Sequence, residues 1–520
     1  MRKKRIIYVI FISLILIAIV LAGLYIIRKS RVIDNWMFTD EQIMEYGPFW
    51  ISVPALENTC IDTDVNLLIV DENNEKVMYF ILPEDVSVKR IVCYIRDGYE
   101  NNYEARRVIN LESGEAYIAG VRIKLIKTDV PIIYLKTDNE NTEFSEFKYS
   151  YNRDLICSGT IHNKEMGQSC DMYLKARGNA TWAGPNKKPY SLVLSNEQNL
   201  AGLGRYDKFN LIADCFDPSL LKNYTINSIA HAIGVEYEPK AIHTVLYIDG
   251  NFEGVYLLTT KVSVGKKLVN IGEDDVFFVW GGNHAKQVIP YQSKSWFFDS
   301  DYHFPYVALE YPKKPGRART IEIQNLIQRY VDAVEDYNSN EYEEYLDMNS
   351  MMRYYWIQEL CMNVDAAFRS TYSIYSDETD KITYAPLWDF DFSLGSTAKK
   401  PAYDGSVIEF ENPEGWKVRN LAYYHDLFMH EGFEEAANEA YYNLGIRNAF
   451  YKGIDTYLME RDRILELGEL DYKIWKNEEK QFALFTDAPT YYDYTEKTLE
   501  LYRKRLEWVD GQVASNTNGK

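Results

Sequence analysis

The sequence lacks the short motifs that mark most nucleotide-binding and hydrolytic enzymes. Its 520 residues contain no P-loop, no G-x-G-x-x-G fingerprint and no G-x-S-x-G elbow, which argues against P-loop NTPases, Rossmann dehydrogenases and α/β-hydrolases. The seven histidines form no H-x-x-x-H pair, and the six cysteines form no C-x-x-C pair, so no zinc motif is indicated. Cys157 and Cys170 could form a disulfide across a short loop; buried free thiols are the alternative.

Basic charge is scarce outside the N-terminus. The chain carries a net charge of −20, and residues 1–31 contain seven basic and no acidic residues, so the remaining residues carry −27. An acidic body argues against nucleic-acid binding and against broad contact with an anionic membrane face.

The longest apolar run lies at the N-terminus. Ile6 to Ile27 form 22 nearly uncharged residues between the basic stretches MRKKR and RKSR. At about 1.5 Å per residue, such a helix spans the roughly 30 Å core of a bilayer, and it is longer than a signal-peptide core. We predict that residues 1–31 form an uncleaved single-pass anchor in the cell membrane, rather than a buried core helix, with the soluble body outside the cytoplasm.

Residues 32–130 are rich in strand patterns. VNLLIVDENNEKVMYFIL predicts two strands around a turn between Asp71 and Lys76, and VKRIVCYI and GVRIKLIK predict further strands. We predict a small β-sandwich-like domain in this region.

Strand and helix patterns mix in the remainder. A helix is indicated after the capping residue Asp217 and before Gly234, and Asp249-Gly250 is typical of a hairpin turn. The C-terminal half is mainly helical, apart from a strand-like insert that ends in YAPLWDFDFSLG. We predict a two-lobed α+β domain over residues 131–510, with its site where the lobes meet, and a polar tail over 511–520.

Four residues of the C-terminal half follow an order typical of phosphoryl transfer. Asp365 follows a predicted helix, Ser370 comes five residues later, and Asp389 and Asp391 flank the Phe of WDFD at a predicted strand end. In protein kinases a loop Asp orients the acceptor hydroxyl, the residue five positions later holds a second metal, and a later Asp holds magnesium. The alternative is structural: the first Asp caps a loop, and the later one accepts backbone hydrogen bonds at a turn.

A second stretch, KARGNATWAGPNKKPYSLVLS, reads as a strand, a polar loop and another strand. Gly178 follows Arg177 and allows close approach of the backbone. Lys187 and Lys188 enter the second strand, and a kinase needs a strand Lys that faces phosphate. A solvated basic turn is the alternative.

Five motifs occur in an order that resembles the CotH family of spore-coat-type atypical kinases: RGNATW…KKPYSLVL, DPSLLKN, YIDGNFEGVYLL, NVDAAFRSTY and PLWDFDFSLG. The resemblance covers roughly residues 131 to 510. It implies a divergent kinase-like fold and the transfer of phosphate from ATP to serine of envelope or spore-coat proteins, with Mg²⁺ or Mn²⁺ as the metal.

The resemblance also implies roles for acidic residues. Asp365 takes the catalytic position, and Asp389 takes the metal position with Asp391 as a further ligand. Ser370 stands at the second metal position, where some family members have Asn. Because a hydroxyl is a poorer ligand than an amide oxygen, this departure puts the second metal in question.

The expected nucleotide-binding residues are Lys188, which would neutralise phosphate charge, and Arg177 and Asn179 of the first motif. Two further departures concern this function. Thr260 stands where the hairpin of the family usually ends in an acid, and Val279-Trp280 replaces another acid of many members.

A function of a different class stays open. A non-catalytic envelope or spore-coat protein could use a kinase-like fold to bind a protein or a glycan, with the acids in structural roles. ATP is scarce outside the cytoplasm, so an active kinase there would have to work where a cell engulfs a spore, unless its body faces inward.

Overall fold

The chain divides into two compact units. The computed structural model describes residues 121–138, 142–281, 287–294, 306–366, 369–475 and 483–518, together with short segments between 50 and 118. One unit comprises residues 1–129, 134–136 and 247–252, and the other comprises 130–133, 137–246 and 253–520. The domain boundaries expected from the sequence stay predictions.

The predicted membrane anchor, residues 6–27, lies outside the described residues. Among the helices that are described, none combines the length and the apolar character that a bilayer-crossing helix requires.

The first unit contains two four-stranded sheets. Its strands are β1 (Trp50–Ser52), β2 (Val65–Asn66), β3 (Leu68–Glu72), β4 (Glu75–Pro83), β5 (Arg90–Arg96), β6 (Tyr103–Asn110), β7 (Glu115–Ile118) and β8 (Val121–Thr128). The sheet orders are β2-β1-β5-β6 and β3-β4-β8-β7. Glu72 pairs with Glu75 across the β3–β4 turn, which confirms the predicted hairpin.

A closed seven-stranded barrel begins the kinase-like part of the chain. Its strands are β9 (Ile132–Thr137), β10 (Ile156–His162), β11 (Cys170–Ala176), β12 (Tyr190–Asn199), β13 (Arg205–Ile212), β14 (Ala241–Ile248) and β15 (Asn251–Thr260). They close in the order β10-β11-β12-β13-β15-β14-β9. Along β11 the buried residues Cys170, Met172 and Leu174 alternate with more exposed neighbours, as expected for a sheet with one face in a core.

Cys157 and Cys170 are free thiols and form no disulfide. Cys157 pairs with Leu174 and Cys170 pairs with Ile161 in the β10–β11 ladder. The two cysteines therefore lie four positions apart along the ladder, beyond the Cα separation of about 6 Å that a disulfide needs.

An antiparallel sheet of five strands follows the barrel. Its strands are β16 (Val276–Trp280), β17 (Val288–Pro290), β18 (Tyr306–Tyr311), β19 (Thr371–Ser376) and β20 (Lys381–Tyr384), in the order β17-β18-β16-β19-β20. The central strand β16 is buried along its whole length. A separate hairpin pairs β21 (Lys399–Pro401) with β22 (Val407–Glu409).

Helices dominate the C-terminal half. The described helices are α1 (Phe144–Tyr149), α2 (Ala180–Ala183), α3 (Lys222–Ala232), α4 (Arg317–Val334), α5 (Tyr342–Tyr345), α6 (Met348–Leu360), α7 (Ala422–Met429), α8 (Phe433–Asn443), α9 (Ile446–Trp475) and α10 (Tyr491–Asn518). The combination of helices and strands confirms the α+β class. The segment predicted as a polar tail is helical as far as Asn518.

Helix α3 begins later than the sequence predicts. Asp217 caps it from a distance: its carboxylate accepts hydrogen bonds from the backbone N–H groups of Ser219 and Lys222. The intervening turn places Leu220 at φ +62°, so the helix cannot begin at Pro218. The helix stops before Gly234, as predicted, and this glycine has φ +72°.

Helix α9 packs closely against both α3 and α10 through a glycine. A side-chain carbon at Gly453 of α9 would lie 2.6 Å from Ile229 of α3 and 2.9 Å from the hydroxyl of Tyr502 in α10. Only a residue without a side chain allows this approach.

A fully buried ion pair joins α10 to α6. Arg505 donates to the Glu359 carboxylate at 2.6 Å, and neither side chain is exposed. Glu359 also accepts the backbone N–H groups of Lys417, Val418 and Arg419 at 2.6 to 2.8 Å. The pair fixes a loop between the two helices, and every carboxylate oxygen has a partner.

Candidate active site

A cleft of about 410 Å³ opens between the barrel and the five-stranded sheet of the second unit. Its walls come from the R-G-N-A-T segment after β11, the end of β13, and the loops after α6 and β20. It is lined by six of the seven residues expected from the sequence: Arg177, Asn179, Asp365, Ser370, Asp389 and Asp391. Residues far apart in the sequence are thus brought to one place.

Asp389 lies in a loop and not at a strand end. Strand β20 ends at Tyr384, and the next seven residues form no strand. Asp389 has φ +71° and Ser370 has φ +53°, a conformation that Asp tolerates better than most residues. The Ser370 hydroxyl donates a hydrogen bond of 2.8 Å to the Asp389 carboxylate. Ser370, which directly precedes β19, therefore holds one oxygen of the Asp389 carboxylate in place.

Asp391 is held by an amide from the barrel side of the cleft. The Asn223 side-chain nitrogen donates to Asp391 at 2.5 Å and to Asp214 at 2.8 Å. The Asn223 oxygen accepts the backbone N–H of Phe390 at 3.1 Å. One asparagine thus orients two carboxylates and the loop that carries one of them.

The acidic residues of the cleft repel one another. Burial raises the pKa of Asp391 to about 7, and the neighbouring Asp389 adds to this effect, while Asn223 and Arg177 oppose it. Burial, followed by the charge of Asp391, raises the pKa of Asp214 well above its ordinary value. The cleft is therefore short of positive charge at neutral pH.

Arg177 is the cation that opposes the raised pKa of Asp391. Burial lowers the pKa of its guanidinium, and Asp389 and Asp391 act in the opposite direction. Its guanidinium lies 4.9 Å from the ring centre of Trp388, in the WDFD loop. Stacking on this ring leaves the edges of the guanidinium available to a ligand in the cleft.

Asn179 lies at the exposed rim. Its side-chain oxygen accepts a hydrogen bond of 2.7 Å from Arg153, which also bonds to the carbonyl of Gly178. Gly178 has φ +75°, and a side-chain carbon there would collide with Thr181. The motif R-G-N-A-T thus forms a tight turn that aligns the rim with Arg177.

Asp365 lies half-buried just beyond α6. This helix is capped by Asp347, which accepts the backbone N–H of Ser350, and it ends at Leu360. Asn363 accepts the Asp365 backbone N–H at 3.1 Å. The Asp365 side chain lines the cleft, and solvent or an acceptor can reach it.

Lys188 is not placed with the other six residues. It is 5% exposed, and its ammonium donates to the Trp182 carbonyl at 2.6 Å. Lys187 is buried as well: it donates to the Val255 carbonyl at 2.8 Å and pairs with Asp471 of α9. Both lysines bond to protein groups, and neither side chain lines the cleft.

Comparison with known protein families matches residues 174–445 to the model of the CotH kinase protein family, which is more than half of the chain. The chain belongs to the CotH kinase family. No curated protein matches it. The family match includes all seven expected site residues, whereas the helices α9 and α10 lie beyond it.

The departures from the family pattern lie at defined places. Val279 lines the cleft, whereas the neighbouring Trp280 is buried and donates to the Ser373 hydroxyl at 2.9 Å. Thr260 is buried in β15, where its hydroxyl accepts the backbone N–H of Lys240. Of these residues, only Val279 changes the surface of the cleft.

The residues present fit a small divalent cation. Among the described residues, no three His, Cys, Asp or Glu side chains are already arranged around one point. Mg²⁺ does not need such a cage, because one or two carboxylates, water and phosphate oxygens suffice. One Asp214 oxygen is buried without a hydrogen-bond partner, and the cleft has an excess of negative charge. A bound cation would give this oxygen a partner and would offset the negative charge.

Sequence reasoning missed Asp214 and Asn223. Asn223 ends the DPSLLKN motif, so the family resemblance pointed to its neighbourhood without giving it a role. Asp214 lies three positions before that motif and carried no signal. Their part in the site follows from contacts across a long sequence separation, which no local pattern contains.

Proposed function

We propose that this CotH family member is a metal-dependent protein kinase. It would transfer the terminal phosphoryl group of ATP to serine hydroxyls of envelope or spore-coat proteins. The observation that carries the proposal is the convergence of Asp365, Asp389, Asp391 and Arg177 on one cleft. These are the residue types that phosphoryl transfer requires: an acceptor-orienting acid, metal-binding acids and a fixed cation.

Asp365 would accept a hydrogen bond from the acceptor serine and orient its oxygen. The new bond joins that oxygen to the transferred phosphorus as the bond between phosphorus and the ADP oxygen breaks. The hydroxyl proton passes toward the Asp365 carboxylate. Half-burial suits this role, because the acid must meet a protein substrate.

Asp389 and Asp391 would hold the metal. When bound, Mg²⁺ or Mn²⁺ neutralises phosphate charge and aligns the phosphates. Arg177, held against Trp388, would add a positive charge that burial keeps close to the cleft. The Ser370 hydroxyl, which donates to Asp389, would act by orienting that carboxylate.

We also propose that the N-terminal residues anchor the protein in the cell membrane and that the body lies outside the cytoplasm. The acceptors would then be proteins of the envelope or the spore coat. ATP would be met where one cell engulfs a spore.

The alternative, a non-catalytic binding protein, has one observation in its favour. Val279 and Ala308 give part of the cleft an apolar wall at the place where many family members have an acid. A cleft of this kind could bind a protein or a glycan segment without phosphoryl transfer.

The test uses the full-length protein, purified in mild detergent, with radiolabelled ATP and Mg²⁺ or Mn²⁺. We expect ATP binding and phosphoserine on envelope proteins or on the protein itself. Asp365→Asn should bind ATP and metal like the parent but transfer phosphate about 10²- to 10⁴-fold more slowly.

Asp377→Asn is the matched control, because Asp377 is an exposed turn residue outside the cleft. Its transfer rate should equal that of the parent. Absence of ATP binding and of any metal response in the parent would refute the kinase proposal and favour the binding protein.

A further inference from the structure

A further carboxylate, that of Asp214, lies in the cleft without a role in the proposed reaction. It follows β13 and is 3% exposed. One of its oxygens accepts the Asn223 amide at 2.8 Å. The other is buried and, within the described part of the chain, accepts no hydrogen bond. A buried carboxylate oxygen without a partner is costly, so this atom points to a missing ligand.

Asp214 and Asp391 are neighbours through one nitrogen atom. The Asn223 amide donates to both carboxylates, so the two accepting oxygens lie within two hydrogen-bond lengths of each other. Both residues line the cleft. Two acids this close to each other repel unless a cation or a proton lies between them.

The nearby cations offset the charge of this pair only in part: Arg177 opposes the raised pKa of Asp391, and Lys187 opposes that of Asp214. Arg177 stacks on Trp388 and, among the described residues, forms no ion pair with either acid. Lys187 is bound to Asp471 and to a backbone carbonyl. Asp217, a further acid nearby, has its own partners: it pairs with the ammonium of Lys222 at 3.8 Å and accepts the backbone N–H of the same residue.

We propose that Asp214 and Asp391 together bind a divalent cation of the Mg²⁺ and Mn²⁺ class, and that Asp214 supplies the ligand that Ser370 supplies poorly. The Ser370 hydroxyl donates its proton to Asp389, and as a neutral group it is a poorer ligand for a hard cation than a carboxylate. Asp214 offers a carboxylate oxygen from the opposite wall. Water can complete the coordination shell because the cleft is open and holds about 410 Å³.

The inference stands on the geometry of the metal ligands and does not depend on ATP. It can therefore be tested with Mn²⁺ alone. The full-length protein is titrated with Mn²⁺ in the absence of nucleotide, and free Mn²⁺ is measured by electron paramagnetic resonance. The melting temperature is recorded in parallel, with and without Mn²⁺.

The parent should bind Mn²⁺ and melt at a higher temperature when Mn²⁺ is present. Asp214→Asn should weaken Mn²⁺ binding at least about tenfold, since even indirect partners of a metal can matter that much. Its metal-free melting temperature should equal or exceed that of the parent, because the amide removes a buried charge. Asp207→Asn, on the same strand but outside the cleft, should match the parent in both measurements.

A structural role for Asp214 gives the opposite pattern: lower metal-free stability and unchanged Mn²⁺ affinity. Either unchanged affinity in Asp214→Asn or no Mn²⁺ binding by the parent overturns the proposal. If Asp214→Asn does not fold, Asp214→Ser takes its place and must lose Mn²⁺ affinity to the same extent.

The outcome is separable from that of the kinase proposal. Mn²⁺ binding that depends on Asp214, without any phosphoryl transfer, would leave the metal site standing and refute the kinase. Phosphoryl transfer with Mn²⁺ affinity independent of Asp214 would do the reverse.

Discussion

Two buried groups of charged residues in this protein differ in how their charges are paired. At the centre of the helical half, Glu359 accepts three backbone N–H groups and the Arg505 guanidinium. In the cleft, Asp214 and Asp391 share one amide donor, and one buried oxygen of Asp214 has no partner. Arg505 Nε is also buried without a partner among the described residues, but the first group pairs an acid with a cation, whereas the second brings two acids together.

The difference indicates which buried charges stabilise the fold and which are expected to bind a ligand. Burying a charge costs free energy unless the charge is paired and hydrogen-bonded, so a purely structural cluster is expected to contain its own counter-charge. Neighbouring buried acids without an ion-pair partner are expected to bind a cation or to take up protons. In this chain that argument selects the acids of the cleft over the equally buried pair of α6 and α10.

The largest effect should come from breaking the pair of acid and cation. Arg505→Met leaves Glu359 buried without its counter-charge, and we expect a loss of about 3–5 kcal/mol in the free energy of unfolding, measured by urea denaturation. Arg503→Met, on the exposed side of the same helix, is the control and should change this value by less than about 0.5 kcal/mol. Similar losses in the two variants would show that the pair is not what stabilises the helix.

A smaller effect of opposite sign should follow from removing one acid of the cleft. The pKa of Asp391 is raised from 3.8 to about 7 in the folded protein, so its ionisation opposes folding. Stability of the metal-free parent should therefore fall as the pH rises through this range. Asp391→Asn should remove that fall and be roughly 2 kcal/mol more stable than the parent at pH 8.

At pH 4 the parent carboxyl is protonated, and the two proteins should unfold at nearly the same urea concentration. Asn can still accept the Asn223 hydrogen bond, so the packing of the loop is retained. A variant less stable than the parent at both pH values would mean that Asp391 serves the fold.

The smallest effect should show whether Lys188 stabilises the fold or binds phosphate. Lys188→Met removes the hydrogen bond to the Trp182 carbonyl, and we expect a stability loss of about 1–2 kcal/mol with unchanged ATP affinity. Lys175→Met, an exposed residue of β11, is the control. A drop in ATP affinity without loss of stability would restore Lys188 to the nucleotide site, as the sequence resemblance implies.

The parts of the site that the sequence predicts are those with local signals. Spacing and motif order identify Asp365, Ser370 and Asp389, and helix caps such as Asp347 locate the elements that carry them. The orientation of the adjacent Lys187 and Lys188 is harder to predict. Neighbouring residues at the start of a strand point to opposite sides, so spacing alone does not show which ammonium faces the cleft. Asn223 was hidden for another reason: its partner Asp391 lies 168 residues away.

The ion pair between Lys187 and Asp471 indicates where the independently folding part of the chain ends. The family match stops at residue 445, whereas Asp471 and Arg505 lie beyond it. A chain cut at that boundary would keep the whole cleft and lose both counter-charges. Lys187, in the motif that carries Arg177, and Glu359, in the helix that leads to Asp365, would each be left as an isolated charge in a core. We therefore expect the smallest portion able to fold to extend beyond residue 445, where the family match ends.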